Sequence, residues 1–289
     1  MSEDAFARHR SLLFTVAYEM LGSAADAEDV VQETWLRWAD VDHTEVHDPR
    51  AYLVRIVTRQ ALNRLRTLAR RREEYVGEWL PEPLVTSPDV AADIELAENV
   101  SIAMLTVLET LAPAERAVFV LREVFDVPYE EIAEAVEKSP AAVRQIAHRA
   151  RDHVAARRPR MPVSATEQQE AVERFLAAIR EGDLQGLLDV LAPDVVVVAD
   201  GGGLVQAAPR PIQGAQRVAA FLIATARHAD FEAKVVWLNG SPGSRIDIGG
   251  ELNTAVSVTV ENGRITRLYA IRNPHKLARL DGIADLTRN

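Results

Sequence analysis

The spacing of apolar residues predicts helices throughout the first half of the 289-residue chain. Apolar positions recur there at three- and four-residue intervals, which is the period of an amphipathic helix. In the segment SAADAEDVVQETWLRWAD this stripe consists of Val30, Val31, Thr34, Trp35 and Trp38. The pairs Asp48–Pro49 and Ser139–Pro140 each combine a capping side chain with a ring that presets φ, so we expect helices to begin there.

Residues 168–272 show a different pattern, in which helical stretches are mixed with short strands. Strands are predicted at VVVVAD, FEAKVVWL, SRIDIGG, ELNTAVSVTVE and RITRLYAI, and the turn signals SPGS and NG separate them. Helices are predicted at AVERFLAAIREGDLQGLLDVL and PIQGAQRVAAFLIATARH. This order of elements predicts an α+β domain in which helices accompany an antiparallel sheet.

A proline-containing segment lies between the helical blocks. Residues 73–90, EEYVGEWLPEPLVTSPDV, hold three prolines and show no helical period, which is typical of a linker. Trp79, Leu80 and Leu84 are too apolar for a segment that is exposed to water on all sides. We therefore expect the linker to dock onto another part of the protein; a rigid spacer is the alternative.

Charge is segregated along the chain, although the formal net charge is -10. Residues 50–72 contain eight arginines and no acidic residue, and residues 73–98 contain eight acidic residues and no basic one. On a helical wheel, a set of five polar residues in the arginine segment falls within an arc of about 80°. This set is Arg55, Arg59, Asn63, Arg66 and Arg70. Such a ridge repels itself unless a polyanion neutralises it, which favours nucleic-acid binding. Pairing between the charged blocks is the alternative.

Two short helices joined by a tight turn are predicted in YEEIAEAVEKSPAAVRQIAHRAR. The second helix has apolar residues at 143, 146, 147, 150 and 154 and a basic opposite face. That face consists of Arg144, Gln145, His148, Arg149 and Arg151. A helix pair with a basic second helix predicts a helix-turn-helix that enters the major groove of DNA.

The composition excludes several classes of function. The chain has no cysteine, so disulfides and thiolate metal sites are excluded and a reducing cytoplasm is expected. Its start lacks a signal-peptide core, and no apolar run reaches the roughly 18 residues of a bilayer span, so we expect no membrane association. His43 and His47 lie four residues apart in a polar loop, where we expect a chance spacing and no metal site.

The helical half resembles the extracytoplasmic-function (ECF) group of sigma-70-type bacterial sigma factors. The resemblance covers residues 6–157 and rests on ADAEDVVQETWLRW, the arginine helix after DPRAYL, and YEEIAEAVEKSPAAVRQIAHRAR. It implies that the chain binds core RNA polymerase and directs initiation at promoters, with no enzymatic activity of its own. The chain departs from the family at the turn of the helix-turn-helix, where Glu137 stands in place of the usual glycine.

The resemblance also implies roles for three faces. The arginine ridge would contact the -10 element, with Asn63 and Arg66 as strand contacts. The basic face of the last helix would read the -35 element in the major groove. The polar face of the helix at 26–39 would bind core RNA polymerase through Asp29, Gln32, Glu33 and Arg37.

Residues 168–272 resemble the SnoaL-like cone, a fold shared with polyketide cyclases and ketosteroid isomerase. One subgroup of ECF sigma factors carries this domain at the C-terminus, together with a WLPEP linker, a DGGG turn and an NPDKL tail. This chain has WLPEP at 79–83, DGGG at 200–203 and NPHKL at 273–277, with His275 in place of the aspartate. We expect an interdomain regulatory contact formed by Trp79, Leu80, Pro81, Asp200, Gly201, Asn273, Pro274, Lys276 and Leu277.

A catalytic cone would need a base inside its cavity and donors for a developing oxyanion. The available groups are Asp200, His228, Asp247 and Glu251. Asp200 lies in a predicted turn and the other three have no evident partners, so we expect a regulatory or packing module, with or without a small ligand.

The sequence therefore predicts a multidomain protein with two all-α sigma domains followed by an α+β SnoaL-like cone. We place the region 2 domain at 1–72, the linker at 73–95, the region 4 domain at 96–158 and the cone at 166–289. The expected partners are core RNA polymerase and promoter DNA, without a cofactor. Two alternatives stay open: a DNA-binding regulator that works without polymerase, and a DNA-binding front end fused to a small-molecule enzyme.

Overall fold

The structure, a computed structural model, describes residues 2–72, 75–158, 163–226 and 231–288. The chain divides into two compact units. The helical unit contains residues 1–74, 104–158 and 285–289, and the sheet unit contains residues 75–103 and 159–284. The predicted linker therefore belongs to the sheet unit from residue 75 onwards, and the last five residues belong to the helical unit.

The helices that the described residues form are, in chain order, α1 (Ser2–Leu21), α2 (Ala24–Ala39), α3 (Pro49–Arg72), α4 (Ile94–Val100), α5 (Ile102–Leu108), α6 (Pro113–Phe119), α7 (Tyr129–Val136), α8 (Pro140–Ala155), α9 (Ala165–Glu181), α10 (Leu184–Val190), α11 (Ala215–Ala226) and α12 (Pro274–Leu277). A 3-10 turn (Pro88–Ala92) precedes α4, and a π-helical turn (Val120–Val124) continues α6. None of the helices formed by these residues is long and apolar enough to cross a membrane.

The predicted helix starts are confirmed by their hydrogen bonds. Asp48 Oδ1 accepts the main-chain N–H of Ala51 at 3.0 Å, and Ser139 Oγ accepts that of Ala142 at 3.2 Å. These side chains satisfy N–H groups that the first turn of a helix leaves free. Between residues 94 and 108 the chain forms two helices, α4 and α5, which are separated at Ser101, where ψ is 145° and the backbone is extended.

The turn between α7 and α8 retains the left-handed residue of a helix-turn-helix. Glu137 ends α7 with φ 57° and ψ 49°, and its side chain is exposed. A residue with a Cβ pays about 1–2 kcal/mol for this conformation. The motif is therefore formed without the glycine that its turn favours.

The apolar stripes predicted from the sequence form the core of the helical unit. Along α8 the stripe is fully buried, and its members are Val143, Ile146, Ala147, Ala150 and Val154. In α2, Trp38 is 1% exposed, whereas Trp35 is only half-buried and packs against Phe6 with ring centroids 5.0 Å apart. Burial of these stripes fixes which polar faces remain in solvent.

The strands of the sheet unit are β1 (Val85–Thr86), β2 (Leu191–Asp200), β3 (Ile212–Gln213), β4 (Phe231–Leu238), β5 (Ser241–Ile248), β6 (Glu251–Glu261), β7 (Arg264–Ile271) and β8 (Ile283–Ala284). Within the described residues they pair in the order β3-β2-β7-β6-β5-β4-β1-β8. The sheet is mixed, because β2 runs parallel to β7 and β1 runs parallel to β8. The expectation of an antiparallel sheet is wrong at these two pairs, where long connections replace hairpins.

The interpretation of SPGS as a turn was also wrong. Residues 241–244 begin β5 and pair with residues 235–238 of β4. The turn therefore consists of the two residues directly before β5, Asn239 and Gly240. Both turn residues have positive φ, 52° and 74°. This is the type I′ geometry that suits a two-residue hairpin.

Apolar residues cover both faces of the sheet. On one face, α9, α10 and α11 pack on side chains that include Val256, Val258 and Leu268. Residues in alternate register on the same strands, Ala255 and Tyr269, belong to a second cluster. That second cluster is completed by residues outside the sheet, namely Leu80, Ile102, Leu277 and Leu280. The linker and the C-terminal tail are therefore part of the core of this unit.

Candidate nucleic-acid interface and linker-binding site

The polar face of α2 is exposed, as the sequence predicts for a binding surface. Its four candidate residues are Asp29, Gln32, Glu33 and Arg37. Two of them contact α3: Asp29 Oδ2 accepts from Arg64 at 3.2 Å, and Glu33 Oε2 accepts from Gln60 at 3.1 Å. These bonds hold the two carboxylates in place while leaving them in solvent.

Leu36 lies on the same face of α2 and was missed by the sequence reasoning. Its side chain is 60% exposed, in the middle of this polar surface. The signal was present, since Leu36 follows Gln32 by four residues and Glu33 by three, which places all three on one side of the helix. An apolar centre with a polar rim is the usual arrangement of a protein–protein interface.

The arginine ridge of α3 is partly engaged by α7. Arg55 Nη1 forms an ion pair with Glu134 Oε2 at 2.9 Å, and Arg59 Nη2 donates to the main-chain oxygen of Glu134 at 2.8 Å. The Arg55 side chain is still 36% exposed, so the ridge is covered at this end without being buried.

The remainder of the ridge is open. Asn63 and Arg66 are exposed and bond to each other, Arg66 Nη1 donating to Asn63 Oδ1 at 3.2 Å. The side chain of Arg70 lies outside the described residues, although its backbone is part of α3. The side chains expected to contact separated strands are therefore in solvent.

The basic face of α8 is exposed along its length. Arg144, Gln145, His148, Arg149 and Arg151 all project from the side opposite the buried stripe. Their side-chain contacts are at the surface, such as His148 Nδ1 with Asp152 at 2.9 Å and the ion pair of Arg149 with Glu115 at 3.6 Å. Exposed pairs are worth about 0–1 kcal/mol, so phosphates or base edges can replace them.

The linker motif, the DGGG turn and the NPHKL tail meet at the carboxylate of Asp200, which is fully buried. Asp200 Oδ2 accepts the main-chain N–H of Leu80 at 2.9 Å and the ammonium group of Lys276 at 2.7 Å. Asp200 Oδ1 accepts the hydroxyl of Tyr75 at 2.6 Å and the N–H of Gly202 at 3.0 Å. Both oxygens are thus used to bind the chain itself.

Lys276 is the cation of this site. Its ammonium group also donates to the main-chain oxygen of Leu80, so Leu80 is held at both its N–H and its C=O. The Lys276 nitrogen lies 3.9 Å from the ring centroid of Trp79 and 5.0 Å from that of Tyr75. These cation–π contacts place two aromatic rings of the linker beside the Lys276 ammonium group.

The other members of the predicted contact support this arrangement. Pro81 and Leu277 are buried, and Pro274 begins α12 behind the cap of Asn273, whose Oδ1 accepts from His275 at 3.0 Å. The Gly201 main-chain oxygen accepts the N–H of Leu204 at 3.0 Å, which closes the DGGG turn.

Asn273 and Gly202 lie in close contact at this site. Asn273 Nδ2 donates to the Tyr75 hydroxyl at 2.8 Å. Gly202 has φ 62°, and a Cβ at that position would overlap the Asn273 amide. A glycine is required there both for the backbone conformation and for the close approach.

Tyr75 was missed by the sequence reasoning, because it lies four residues before the WLPEP motif and nothing local marks it. Its hydroxyl donates to Asp200 and accepts from Asn273. Burial and the bond to Asp200 raise the pKa of Tyr75 above its ordinary value. The hydroxyl is therefore a stable neutral donor.

A second linker anchor, also missed, is Asn239 in the hairpin turn. Its Oδ1 accepts the N–H of Leu84 at 2.9 Å, and its Nδ2 donates to the main-chain oxygen of Val100 at 2.8 Å. The Asn239 N–H donates to the Leu84 oxygen at 2.9 Å, and the side chain is fully buried. The Asn-Gly pair was a signal for a turn only, because its partners lie far away in sequence.

The candidate catalytic groups of the cone are engaged elsewhere or exposed. Asp247 forms an ion pair with Arg245 at 2.8 Å, and Glu251 is exposed. His228 lies outside the described residues.

Comparisons with known proteins agree with this architecture. The family model of Sigma-70 region 2 matches residues 5–71, and that of Sigma-70 region 4 matches residues 101–154. The chain is 38% identical to the ECF RNA polymerase sigma factor SigJ of Mycobacterium tuberculosis, over 96% of this chain and 93% of that protein. It is 31% identical to the probable ECF sigma factor SigI of the same species, over 94% of this chain.

A solved structure gives the same result. The crystal structure of Mycobacterium tuberculosis SigJ superposes with a TM-score of 0.77 at 35% identity and covers 95% of this chain and 98% of that one. By class, the protein is thus a subunit of the transcription machinery that recognises DNA. The chain belongs to the ECF RNA polymerase sigma factors. It binds core RNA polymerase and directs initiation at promoters, and its C-terminal part is a domain of helices packed on a mixed sheet. Both of these curated relatives are sigma factors by name.

Proposed function

We propose that the C-terminal SnoaL-like domain regulates this sigma factor in cis by binding the linker between regions 2 and 4. The supporting observation is the capture of linker backbone at two places, Leu80 by Asp200 and Leu84 by Asn239. A free linker samples end-to-end distances of about 5–6 Å × √n for n residues. A linker fixed at two points loses this freedom, so the domain sets the reach between the two DNA-reading regions.

The test is run-off transcription with purified core polymerase. A variant without residues 168–289 is expected to differ from the full chain in promoter output, because its linker is free. Since that deletion also exposes Leu80 and Ile102, the full-length variant Lys276→Gln is the second arm; it removes the cation that holds Leu80. Unchanged output from both variants would contradict in-cis regulation.

Reading of the -35 element is proposed for the exposed face of α8: Arg144, Gln145, His148, Arg149 and Arg151. The variant Arg144→Ala is expected to weaken binding of the -35 sequence by about 1–3 kcal/mol if the guanidinium reads a base edge. The matched control is Arg157→Ala, which removes an exposed arginine beyond the end of α8. An equal loss on random DNA would mean that Arg144 makes a phosphate contact only.

Contact with the -10 element is proposed for the ridge of Arg55, Arg59, Asn63, Arg66 and Arg70. The side chains of Asn63 and Arg66 are exposed, which supports their contact with a separated DNA strand. The variant Asn63→Ala is expected to reduce opening of the -10 region, measured by permanganate reactivity of unpaired thymines, with Thr67→Ala on the same helix as control. Equal reactivity in the two variants would remove Asn63 from the interface.

Core polymerase binding is proposed for Asp29, Gln32, Glu33 and Arg37, with Leu36 at the centre of the surface. The exposed apolar side chain of Leu36 supports this choice. In a pull-down with core polymerase, Leu36→Asp is expected to lose binding. The control Leu184→Asp changes another exposed leucine, 48% exposed in the sheet unit. Equal binding of both variants would contradict the assignment.

The cone is proposed to act without catalysis. Support comes from Asp200, whose oxygens bind linker and tail, and from Asp247, which is paired with Arg245. Turnover of a carbonyl compound that is lost in Asp247→Asn would contradict this and favour an enzyme fused to a DNA-binding front end.

A cytoplasmic location is proposed as well, because the protein acts on promoter DNA together with core polymerase.

A further inference from the structure

The first helix carries polar residues at four-residue intervals on a side that is otherwise apolar. Ser11, Thr15 and Glu19 share one side of α1, since residues four apart lie above one another on a helix. Thr15 and Glu19 are fully buried, among neighbours such as Leu12 and Val16 that are equally buried. Buried polar side chains need hydrogen-bond partners, so we expect a segment with complementary polar groups to contact this stripe.

The partner of the first two residues is the C-terminal peptide. Ser11 Oγ donates to Asp285 Oδ2 at 2.6 Å, and the main-chain N–H of Thr287 donates to Thr15 Oγ1 at 3.0 Å. The Thr15 hydroxyl itself donates to the main-chain oxygen of Ser11 at 2.9 Å, so its donor and acceptor capacities are both used. Leu286, between the two bonded residues, is only 6% exposed.

The alignment of the peptide along α1 extends to Glu19, the third residue of the stripe. Arg288 follows the residue that binds Thr15, and its charge acts on the Glu19 carboxylate together with that of Arg116. Neither Glu19 side-chain oxygen has a hydrogen-bond partner within the described part of the chain. The peptide therefore brings a positive charge to the end of the stripe that holds a buried acid.

We propose that α1 bears a docking site for the chain's own C-terminal peptide, Asp285–Arg288, which Ser11, Thr15 and Glu19 recognise. The fitting occupant is an extended peptide with an acceptor side chain, an apolar side chain, an available main-chain N–H and a cation, in that order. The grouping of residues 285–289 with the helical unit supports this assignment. The site ties the end of the chain to region 2, separately from the proposed capture of the linker by Asp200.

Hydrogen exchange at Thr287 tests the site in the full-length protein. Thr15→Val keeps the volume of the side chain and removes the acceptor, so the Thr287 amide is expected to exchange about 3- to 10-fold faster, the factor for one lost hydrogen bond. The matched control is Thr58→Val, a fully buried threonine of α3 whose hydroxyl has no hydrogen-bond partner in the described residues. In the Thr58→Val variant, the Thr287 amide is expected to exchange at the wild-type rate.

A second measurement covers the case in which Thr15→Val unfolds α1. A labelled peptide of residues 281–289 is titrated into the chain ending at Ala284, and fluorescence anisotropy reports binding. Saturable binding that falls about 3- to 10-fold when the peptide carries Thr287→Pro supports the site, since proline has no N–H to donate. Unchanged Thr287 exchange in a folded Thr15→Val variant, or equal binding of both peptides, would overturn it. Neither readout uses polymerase or promoter DNA, so failure of in-cis regulation leaves this test intact.

Discussion

The carboxylate of Asp200 accepts the main-chain N–H of Leu80 at 2.9 Å, across 120 residues of sequence. Most main-chain N–H groups are satisfied by the repeated bonds of helices and sheets, whereas this one depends on a single side chain. The attachment of the linker is therefore sensitive to one substitution, and the same carboxylate also binds the Lys276 ammonium group.

The variant Asp200→Asn is expected to release the linker. Removing one partner of a buried ion pair costs about 3–5 kcal/mol, because the other charge is left uncompensated. Lys276 lies over the ring of Trp79, so the fluorescence of that tryptophan is expected to change together with protease sensitivity of the linker. Asp247→Asn, which removes a carboxylate from the same sheet, is the control. A linker that stays protected in Asp200→Asn would contradict the anchoring role.

The variant Glu134→Ala is expected to increase binding of the free protein to -10 element DNA. Glu134 pairs with Arg55 on the ridge, and an exposed pair of this kind is worth about 0.2–1 kcal/mol, which corresponds to an increase of up to about fivefold. Glu131→Ala removes the same charge from the same helix without changing the Arg55 pair. Fluorescence anisotropy at low salt measures the effect, and equal gains in both variants would mean a general charge effect.

The stability of the helical unit is expected to fall as pH rises. Burial raises the pKa of Glu19 from 4.5 to about 8, although Arg116 and Arg288 act in the opposite direction. Arg116 has its own pKa lowered by burial to about 9, so it stays charged across this window. Because Glu19 binds its proton more tightly in the folded state, its contribution is fully present below pH 4.5 and is lost as pH rises towards 8.

Urea unfolding below and above this window measures the effect, with a slope of up to about 1.4 kcal/mol per pH unit. Glu19→Gln is expected to flatten the profile and to stabilise the unit at the alkaline end. Glu28→Gln, which changes a surface ion pair with Arg10, should leave the profile as it is. A wild-type profile with no slope in this range would show that Glu19 titrates normally.

The variant Glu137→Gly is expected to stabilise the helix-turn-helix by about 1 kcal/mol, since glycine adopts the left-handed conformation without a Cβ clash. The matched control is Glu131→Gly, which makes the same change inside α7 and is expected to destabilise by about 1 kcal/mol. Thermal unfolding of the two variants should therefore shift in opposite directions. A loss of stability in Glu137→Gly would show that the glutamate side chain compensates for the strain.

Much of the fold follows from local pattern. The caps at Asp48 and Ser139 and the buried stripe of α8 were predicted because each depends on residues within one or two turns of helix. The exposed faces of α2, α3 and α8 follow from the same periodicity, since burying one side of a helix leaves the other in solvent. The errors occurred where pairing overrides local preference, as in SPGS, which β4 draws into a strand.

The sequence by itself determined most of the helices and strands, which faces are charged, and which three motifs belong together. Only the tertiary structure decided that Tyr75 and Asn239 are linker anchors, that Glu134 covers one end of the ridge, and that the last residues bind α1. The reason is physical: periodicity and capping act over a few residues, whereas these contacts join groups that lie tens to hundreds of residues apart and meet only once the cores have packed.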